Sequence, residues 1–342
     1  MNAKANKVAF RLGMLALAAS VSALLNACKS AQSQQSPIKI DGSSTVFPIT
    51  QAIAQEFQST KEGKSVKVEV AFSGTSGGFR KFCAGETDIA NASRPILAEE
   101  MAACSKAGVR YIELPVAYDA LTVAVHPQNN WAKDITVAEL KKMWEPAAQE
   151  KITKWNQIRS TWPDRPLKLY GAGKDSGTFD YFTEATVGQA RASRTDYIAS
   201  EDDNVLVRGI AADPNALGYF GFAYYEANQN KLKALAINSG KGIVLPSRQT
   251  VEKAQYQPLS RPLLIYVNFQ SAQKKPEVQA FVEFYLQNAK RLTSRVGYIP
   301  LPTEGYHLSS VHFERGKAGT VFGGKSELNL TIGELLRKEA KF

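Results

Sequence analysis

The sequence predicts an α/β protein with two lobes. From Ile38 onward, short runs rich in β-forming residues alternate with helical patterns. Two apolar stretches, at 109–125 and 263–269, are suited to cross from one lobe to the other. The chain has 342 residues, of which 44% are hydrophobic, so it is long enough to bury two cores.

The first lobe is predicted from three strand–loop–helix units. Residues 38–40 form a short strand, and residues 41–45 form a polar loop. The helix that follows places Ile49, Ile53 and Phe57 on one face, because they are four residues apart. Similar units follow, with strands at 66–72 and 88–91, loops at 73–78 and 93–95, and helices at 79–83 and 97–105.

The second lobe is predicted to begin at a crossing formed by residues 115–119, between β-rich runs at 109–114 and 120–125. Thr136 is an expected N-cap for a helix over 137–144. Further elements are a strand at 167–170, a loop at 171–178 that opens a helix, a return crossing at 263–269 and a helix at 276–288. We therefore expect lobe I to comprise residues 37–116 and 267–342, and lobe II residues 117–266. The pattern of residues 303–342 is too weak to predict structure.

The N-terminal segment predicts export. Residues 1–27 combine a basic start with an apolar run too short to span a membrane comfortably, as in a signal peptide. The sequence Leu-Asn-Ala-Cys that ends at Cys28 resembles the lipobox of bacterial lipoproteins. This resemblance implies acylation of Cys28, with residues 28–36 as a tether to the membrane; a plain secreted protein cleaved nearby is the alternative.

Charge and cysteine content limit the partners and cofactors. The formal net charge is +10, but the positive residues are scattered and export argues against nucleic acid, which leaves lipid headgroups or a small anion. Cys83 and Cys104 are expected to form a disulfide in an oxidising compartment, with two buried thiols as the alternative. The chain has three histidines and no CxxC motif, so we expect no zinc site and no other cofactor.

Four loops rich in Gly, Ser and Thr each precede a predicted helix. Such loops direct the free N–H groups of a helix N-terminus, together with hydroxyls, at an oxyanion. One loop of this kind is usually a simple helix cap. Their recurrence in both predicted lobes favours an anion site between the lobes.

These loops resemble a known family. The segments at 42–48, 73–78 and 175–179 are similar to the phosphate-contacting loops of PstS-type periplasmic phosphate-binding proteins, and the run at 82–96 is similar to the SphX-like branch. The resemblance implies a type II-like two-lobed binding-protein fold and a phosphate ligand. It also implies delivery of phosphate to the permease of an ABC importer, with no catalysis, and we expect a monomer. The ligand-binding residues that it implies, with the adjacent Ser76, are Ser44, Thr45, Val46, Thr75, Ser76, Ser176, Gly177 and Thr178.

Two departures from the family pattern add two candidates. Ser93 stands where many members have an aspartate that accepts a hydrogen bond from protonated phosphate, so we expect weaker discrimination by protonation state and against sulfate or arsenate. Many relatives carry an arginine just before the loop that contains Ser176, Gly177 and Thr178, which we call the Ser-Gly-Thr loop. This chain has no arginine there. Arg94, beside Ser93, is the expected substitute because its planar fork can bind an oxyanion in bidentate fashion.

Three other interpretations of the function or the ligand stay open. The residues around Ser76 match the G-x-S-x-G pattern of serine esterases, which also need a histidine such as His307 or His312. The same anion pocket could serve a phosphate sensor rather than an importer. A different tetrahedral oxyanion could be the ligand.

Overall fold

The computed structural model describes residues 36–342, which fold into two lobes of mixed α/β structure joined by two crossing strands. The predicted signal peptide at 1–27, Cys28 and all of the tether except Ser36 lie outside the described residues. Signal cleavage and acylation therefore stay predictions.

The elements predicted from the sequence are present, together with further strands and helices in the second lobe and at the C-terminus. The strands are β1 (Ile38–Gly42), β2 (Val68–Val70), β3 (Ile89–Ala92), β4 (Tyr111–Val125), β5 (Asp134–Thr136), β6 (Lys168–Ala172), β7 (Ile198–Ser200), β8 (Ala216–Gly221), β9 (Lys233–Ala234), β10 (Ala236–Asn238), β11 (Ile243–Val244) and β12 (Ser260–Asn268). The α-helices are α1 (Phe47–Ser59), α2 (Thr75–Cys83), α3 (Ala98–Lys106), α4 (Val137–Trp144), α5 (Gly177–Val187), α6 (Asp203–Ala211), α7 (Phe222–Glu226), α8 (Arg248–Glu252), α9 (Phe269–Lys274), α10 (Pro276–Arg295), α11 (Thr303–Glu314) and α12 (Ile332–Lys341). Two 3₁₀ turns lie at Pro146–Ala148 and Trp155–Gln157.

The main sheet runs through both lobes in the order β2-β1-β3-β12-β4-β8-β6-β7, and β9 also pairs with β4. The first lobe contains parallel β1, β2 and β3, and the second contains parallel β6, β7 and β8. Between them, β12 and β4 run antiparallel to each other and to their neighbours. A small sheet, β11-β10-β5, lies beside the main one. The predicted α/β class, with two lobes joined by crossing strands, is confirmed.

The crossing strand β4 differs from its prediction. It is one buried strand of 15 residues, whereas the sequence predicts a break at 115–119. Pro115 lies opposite Leu264, where the register between β4 and β12 shifts by one residue. Such a bulge tolerates a residue without a backbone N–H, so the proline does not end the strand. The exact lobe boundaries proposed from the sequence stay a prediction.

The parallel strands place the polar loops at one end of each lobe. The loops begin where β1, β3 and β6 end, and the loops after β1 and β6 lead directly into α1 and α5. Ligands of open α/β sheets commonly bind at the carboxyl ends of the strands. The apolar face of α1 holds the loop after β1 in place: Ile49, Ile53 and Phe57 are fully buried, and the Phe57 ring meets Phe281 of α10 with centroids 5.4 Å apart.

The predicted disulfide is confirmed. Cys83 at the end of α2 is bonded to Cys104 of α3, with Cα atoms 4.3 Å apart. Because α2 follows one polar loop and α3 follows another, the bond fixes two neighbouring loops of the first lobe relative to each other. Within residues 36–342, no helix has the length and hydropathy that crossing a membrane would require.

The C-terminal residues, for which the sequence predicts no structure, form α11, α12 and a segment bound to β4. Thr320 and Val321 donate hydrogen bonds to Glu113, at 2.7 and 2.9 Å. Tyr118 donates to the carbonyl of Leu330 at 2.8 Å. The segment therefore packs along the crossing strand.

Candidate functional site

Hydroxyl groups from both lobes converge around Gly177. The hydroxyls of Thr45 and Thr178 lie 3.3 Å apart, and those of Thr75 and Ser93 lie 3.2 Å apart. A Cβ atom at Gly177 would lie 2.5 Å from the Thr75 hydroxyl and 2.7 Å from that of Ser93. All five residues are buried. The structure thus brings the predicted loops of the two lobes into contact.

The same loops supply three helix N-termini. Helices α1, α2 and α5 begin at Phe47, Thr75 and Gly177. The Ser176 hydroxyl caps α5 by accepting from the Thr178 N–H at 3.1 Å. In the first loop, the Val46 N–H donates to a neighbouring serine hydroxyl at 3.4 Å, and the Val46 side chain is buried. Helix N-termini carry partial positive charge, so the site is suited to an anion.

Arg261 on β12 is a site residue that the sequence reasoning missed. Its fully buried guanidinium donates to the Thr178 hydroxyl at 2.8 Å and to the Gly177 carbonyl at 3.2 Å. It also forms an ion pair with Asp119 of β4 at 3.1 Å, and both side chains are fully buried. Its Nε–H has no partner among the described residues. An unpaired buried donor is costly, which makes this group a candidate ligand contact.

A second residue that the sequence reasoning missed, the carboxylic acid Asp203, lies beside the first loop. The Ser44 hydroxyl donates to Asp203 of α6 at 2.8 Å, which is a contact between the lobes. Burial raises the pKa of Asp203 from its usual 3.8 to about 7, although the Ser44 hydrogen bond lowers it. The side chain of Ser44 thus contacts the carboxyl group of Asp203, whose pKa is about 7, rather than the converging hydroxyls.

The Asp203 pKa predicts how stability depends on pH. Between its ordinary pKa and about 7, the folded protein binds a proton that the unfolded chain has released, so stability falls as pH rises through this window and levels off above it. Asp203→Asn should make this dependence less steep, while Glu113 and Glu201, whose pKa values burial also raises to about 7, continue to contribute to it. Urea unfolding at about pH 5 and about pH 8 measures the difference in the free energy of unfolding. The exposed Asp164→Asn is the control, and a wild-type slope in Asp203→Asn would contradict the assignment.

Arg94 lies beside the converging hydroxyls but makes five hydrogen bonds within the chain. It donates to Asp180 at 2.6 Å, to both oxygens of Glu100 at 2.7 and 2.8 Å, and to the Pro95 carbonyl at 2.9 Å. The fifth bond goes to the Ser76 hydroxyl at 2.9 Å. The Arg94 guanidinium therefore contacts the Ser76 hydroxyl and the carboxylates of Asp180 and Glu100.

The predicted site residues fall into two groups. The structure brings together Thr45, Thr75, Ser93, Gly177 and Thr178. The side chains of Ser44, Ser76 and Arg94 have partners outside this group. The Ser176 hydroxyl accepts from the Thr178 N–H, and the Val46 N–H donates to the Ser43 hydroxyl. Contact with a ligand stays a prediction for all ten. Of the missed residues, Arg261 has a sequence signal, because it is the one charged residue of the largely apolar β12. Asp203 has no such signal, since α6 also contains Arg208.

Comparison with known proteins matches most of the chain to periplasmic-binding-protein-like and phosphate-binding proteins. The model of the PBP superfamily domain matches residues 29–289. The protein SphX of Synechocystis sp. is 57% identical over 318 residues, covering 93% of this chain and 94% of SphX. The phosphate-binding protein PstS of Staphylococcus saprophyticus is 33% identical over 302 residues, covering 86% of this chain and 90% of PstS.

A solved structure agrees with the fold. The crystal structure of a possible phosphate binding protein from Planctomyces limnophilus is 45% identical to this chain, with a TM-score of 0.61. The match covers 83% of this chain and 99% of that one. The similarity therefore extends over both lobes and the polar loops between them.

Proposed function

Because the chain belongs to the PBP superfamily and, within it, to the SphX and PstS phosphate-binding proteins, we propose that it binds inorganic phosphate between its lobes. It then delivers phosphate to the permease of an ABC importer, outside the cytoplasmic membrane and without catalysing a reaction. The observation that carries this proposal is the convergence of loops from both lobes on Gly177. Hydroxyls and helix N-termini of this kind are typical oxyanion ligands.

The chemistry of the site is suited to a tetrahedral oxyanion such as phosphate. The buried guanidinium of Arg261 contacts the hydroxyls of Thr178 and Thr45, at 2.8 and 3.5 Å, and the hydroxyls of Thr75 and Ser93 lie close to Gly177. Hydrogen bonds to a charged group contribute roughly 1.5–3 kcal/mol each. Micromolar binding corresponds to about 8 kcal/mol, so a few such bonds provide enough affinity.

Arg261 is the group that we propose to neutralise the ligand. The sequence-based expectation gave this role to Arg94, whose five hydrogen bonds go to other groups of the chain. Arg261 has an unpartnered Nε–H and already contacts Thr178 and Gly177 of the Ser-Gly-Thr loop. The ion pair with Asp119 fixes the orientation of its guanidinium.

The absence of catalysis is part of the proposal. A serine esterase needs a base within hydrogen-bond reach of its nucleophile. The hydroxyl of Ser76, the serine of the esterase-like pattern, is contacted by Arg94 at 2.9 Å and by Arg191 at 3.4 Å. His312 forms a pair with Glu339 at 3.2 Å instead.

Attachment to the membrane through acylated Cys28 belongs to the same proposal. The segment around Cys28 supports it through its resemblance to a lipobox. Mass spectrometry of the protein from membranes tests it, because acylation adds the mass of fatty acyl chains to the N-terminal peptide. An unmodified N-terminus at another residue would support the plain secreted form.

Calorimetric titration with phosphate and with sulfate tests the ligand. Phosphate is expected to bind with micromolar or better affinity, with one site per chain. If sulfate binds tightly and phosphate does not, the ligand assignment is wrong. Phosphate uptake by cells lacking the protein separates an importer receptor from a sensor, since only loss of the receptor removes uptake directly.

Ser93 predicts the selectivity of the site. Its hydroxyl can donate and accept, so it accommodates both phosphate and the fully deprotonated sulfate. Ser93→Asp should lower sulfate affinity by about 10-fold more than phosphate affinity, because a carboxylate repels an anion that has no proton to donate. Competition titrations measure this ratio. Ser193→Asp, outside the predicted loops, is the control; an unchanged ratio in Ser93→Asp would place Ser93 away from the ligand.

A further inference from the structure

Two arginines hold the buried carboxylate of Asp180 from opposite sides. Arg94 belongs to the loop between β3 and α3 of the first lobe, whereas Asp180 lies on α5 of the second. The Arg94 Nε–H donates to Asp180 Oδ2 at 2.6 Å. The Nε–H of Arg191, which follows α5, donates to Asp180 Oδ1 at 3.0 Å. The ion pair between Arg94 and Asp180 thus joins the lobes, and both side chains are almost fully buried.

The network continues into the first lobe at both ends. Arg94 makes a bidentate pair with Glu100 of α3. Arg191 reaches back across the cleft to Glu99 of the same helix at 2.7 Å. The chain of alternating charges therefore crosses from the first lobe to the second and returns. We name this network the latch; its members are Glu100, Arg94, Asp180, Arg191 and Glu99.

Further contacts beside the latch also join the first lobe to the second. Arg80 of α2 makes a bidentate pair with Asp175, at 2.9 and 3.0 Å. The Ser76 N–H donates to the Asp175 carbonyl at 2.9 Å. The close approach is possible because Gly74 has no side chain: a Cβ there would lie 2.3 Å from the Asp175 carbonyl oxygen. The latch is therefore one part of a larger contact between the lobes, and Arg94 and Asp180 are its buried centre.

The backbone of Arg191 supports a dedicated role. Its φ is +66°, in the left-handed region that is unfavourable for a residue with a side chain. Its N–H is held there by the Thr183 hydroxyl at 2.7 Å. Because this conformation is fixed within the second lobe, the guanidinium is already directed at Asp180 before the lobes meet. Preorganisation of this kind lowers the entropy lost when the contact forms.

We propose that the latch favours the closed arrangement of the lobes in the absence of phosphate, and that Asp180 is its central positioning residue. This inference rests on the proposed function for the identity of the ligand. Phosphate binds to the closed arrangement, and its apparent dissociation constant is the intrinsic one divided by the closed fraction. A latch that raises this fraction therefore increases affinity without contacting the ligand. Arg94 then acts through closure of the lobes rather than as a phosphate ligand.

The experiment compares Asp180→Asn and Arg191→Gln with wild type. The second variant alters a half-exposed side chain, so it keeps the test valid if Asp180→Asn does not fold. Asp196→Asn is the matched control, since it weakens a bidentate pair with Arg194 that lies within one lobe. Small-angle X-ray scattering without and with phosphate reports closure, and calorimetry reports the dissociation constant.

We expect both latch variants to have a larger radius of gyration than wild type without phosphate and to return to the wild-type value with saturating phosphate. Their dissociation constants should rise by about 10-fold, in proportion to the lost closed fraction. The Asp196→Asn control should keep both wild-type values. Wild-type scattering and affinity in both latch variants would overturn the proposal.

Failure of the proposed function has a different signature. If wild-type protein does not bind phosphate, the calorimetric arm is flat for every variant. Scattering from the phosphate-free proteins still tests the latch, because the expected difference between wild type and Asp180→Asn or Arg191→Gln needs no ligand. Equal radii of gyration in that arm would overturn the latch alone.

Discussion

Arg261→Met is expected to lower phosphate affinity by at least about 30-fold, because the bound phosphate loses its buried cationic partner. Removing one partner of such a charge pair costs about 2–5 kcal/mol or more. The substitution removes the guanidinium that contacts Thr178 and Gly177 and carries the unpartnered Nε–H. It also leaves Asp119 buried without its ion-pair partner. Calorimetry measures the affinity, and thermal unfolding without phosphate measures the accompanying loss of stability.

A second variant separates the two effects. Arg261→Met combined with Asp119→Asn removes both charges, so it should recover much of the stability but none of the affinity. Arg194→Met is the control for the loss of a buried arginine, because Arg194 is also buried and pairs with Asp196 away from the converging loops. Near wild-type affinity in the double variant would exclude Arg261 from the site.

Arg261 shows why part of the site could not be predicted from the sequence. Its position depends on the pairing of β12 with β4, which places Arg261 opposite Asp119, 142 residues away. The pattern alone predicts a strand from 263 to 269, because that run is rich in β-forming residues. The structure starts β12 at Ser260 and buries the arginine, since its charge is paired across the two crossing strands.

The loops were predictable because their signals are local. Thr136 caps α4 as predicted, by accepting from the Glu139 N–H at 3.0 Å. The start of α2 was less accurate: the sequence places it at residue 79, whereas the helix begins at Thr75. The two glycines in its first turn weaken the helical signal. Gly78 is required by packing, because a Cβ there would lie 2.5 Å from the Cα of Gly42.

Arg94 illustrates the limit of reasoning by position. Its place beside Ser93 and its charge both favour an anion contact. The acceptors that it contacts in the structure, Glu100 and Asp180, come from α3 and from α5 of the other lobe. Asp180 is 86 residues away, so no local pattern indicates that the two meet. Similarly, α11 is held against β4 by Tyr306 and Ser309, which donate to the carbonyls of Val116 and Pro115, and the composition of residues 303–342 does not reveal this contact.

Gly177→Ala is expected to lower phosphate affinity by at least about 100-fold, because it separates the lobes where the hydroxyls converge. The new methyl group would lie 2.5 Å from the Thr75 hydroxyl and 2.7 Å from that of Ser93. These groups are fully buried and cannot move into solvent, so the second lobe must shift away. Loss of two or more hydrogen bonds to a charged ligand costs roughly 3–6 kcal/mol.

Gly333→Ala is the matched control. Gly333 also lies in the first turn of a helix, α12, but the nearest heavy atom to an added Cβ is a flexible arginine Nη1 at 3.6 Å. Gly333→Ala should bind phosphate as wild type does and should keep the wild-type unfolding temperature without ligand. Scattering from Gly177→Ala should show an open protein that phosphate does not close. A closed, phosphate-binding Gly177→Ala would mean that the Ser-Gly-Thr loop does not meet the first lobe around the ligand.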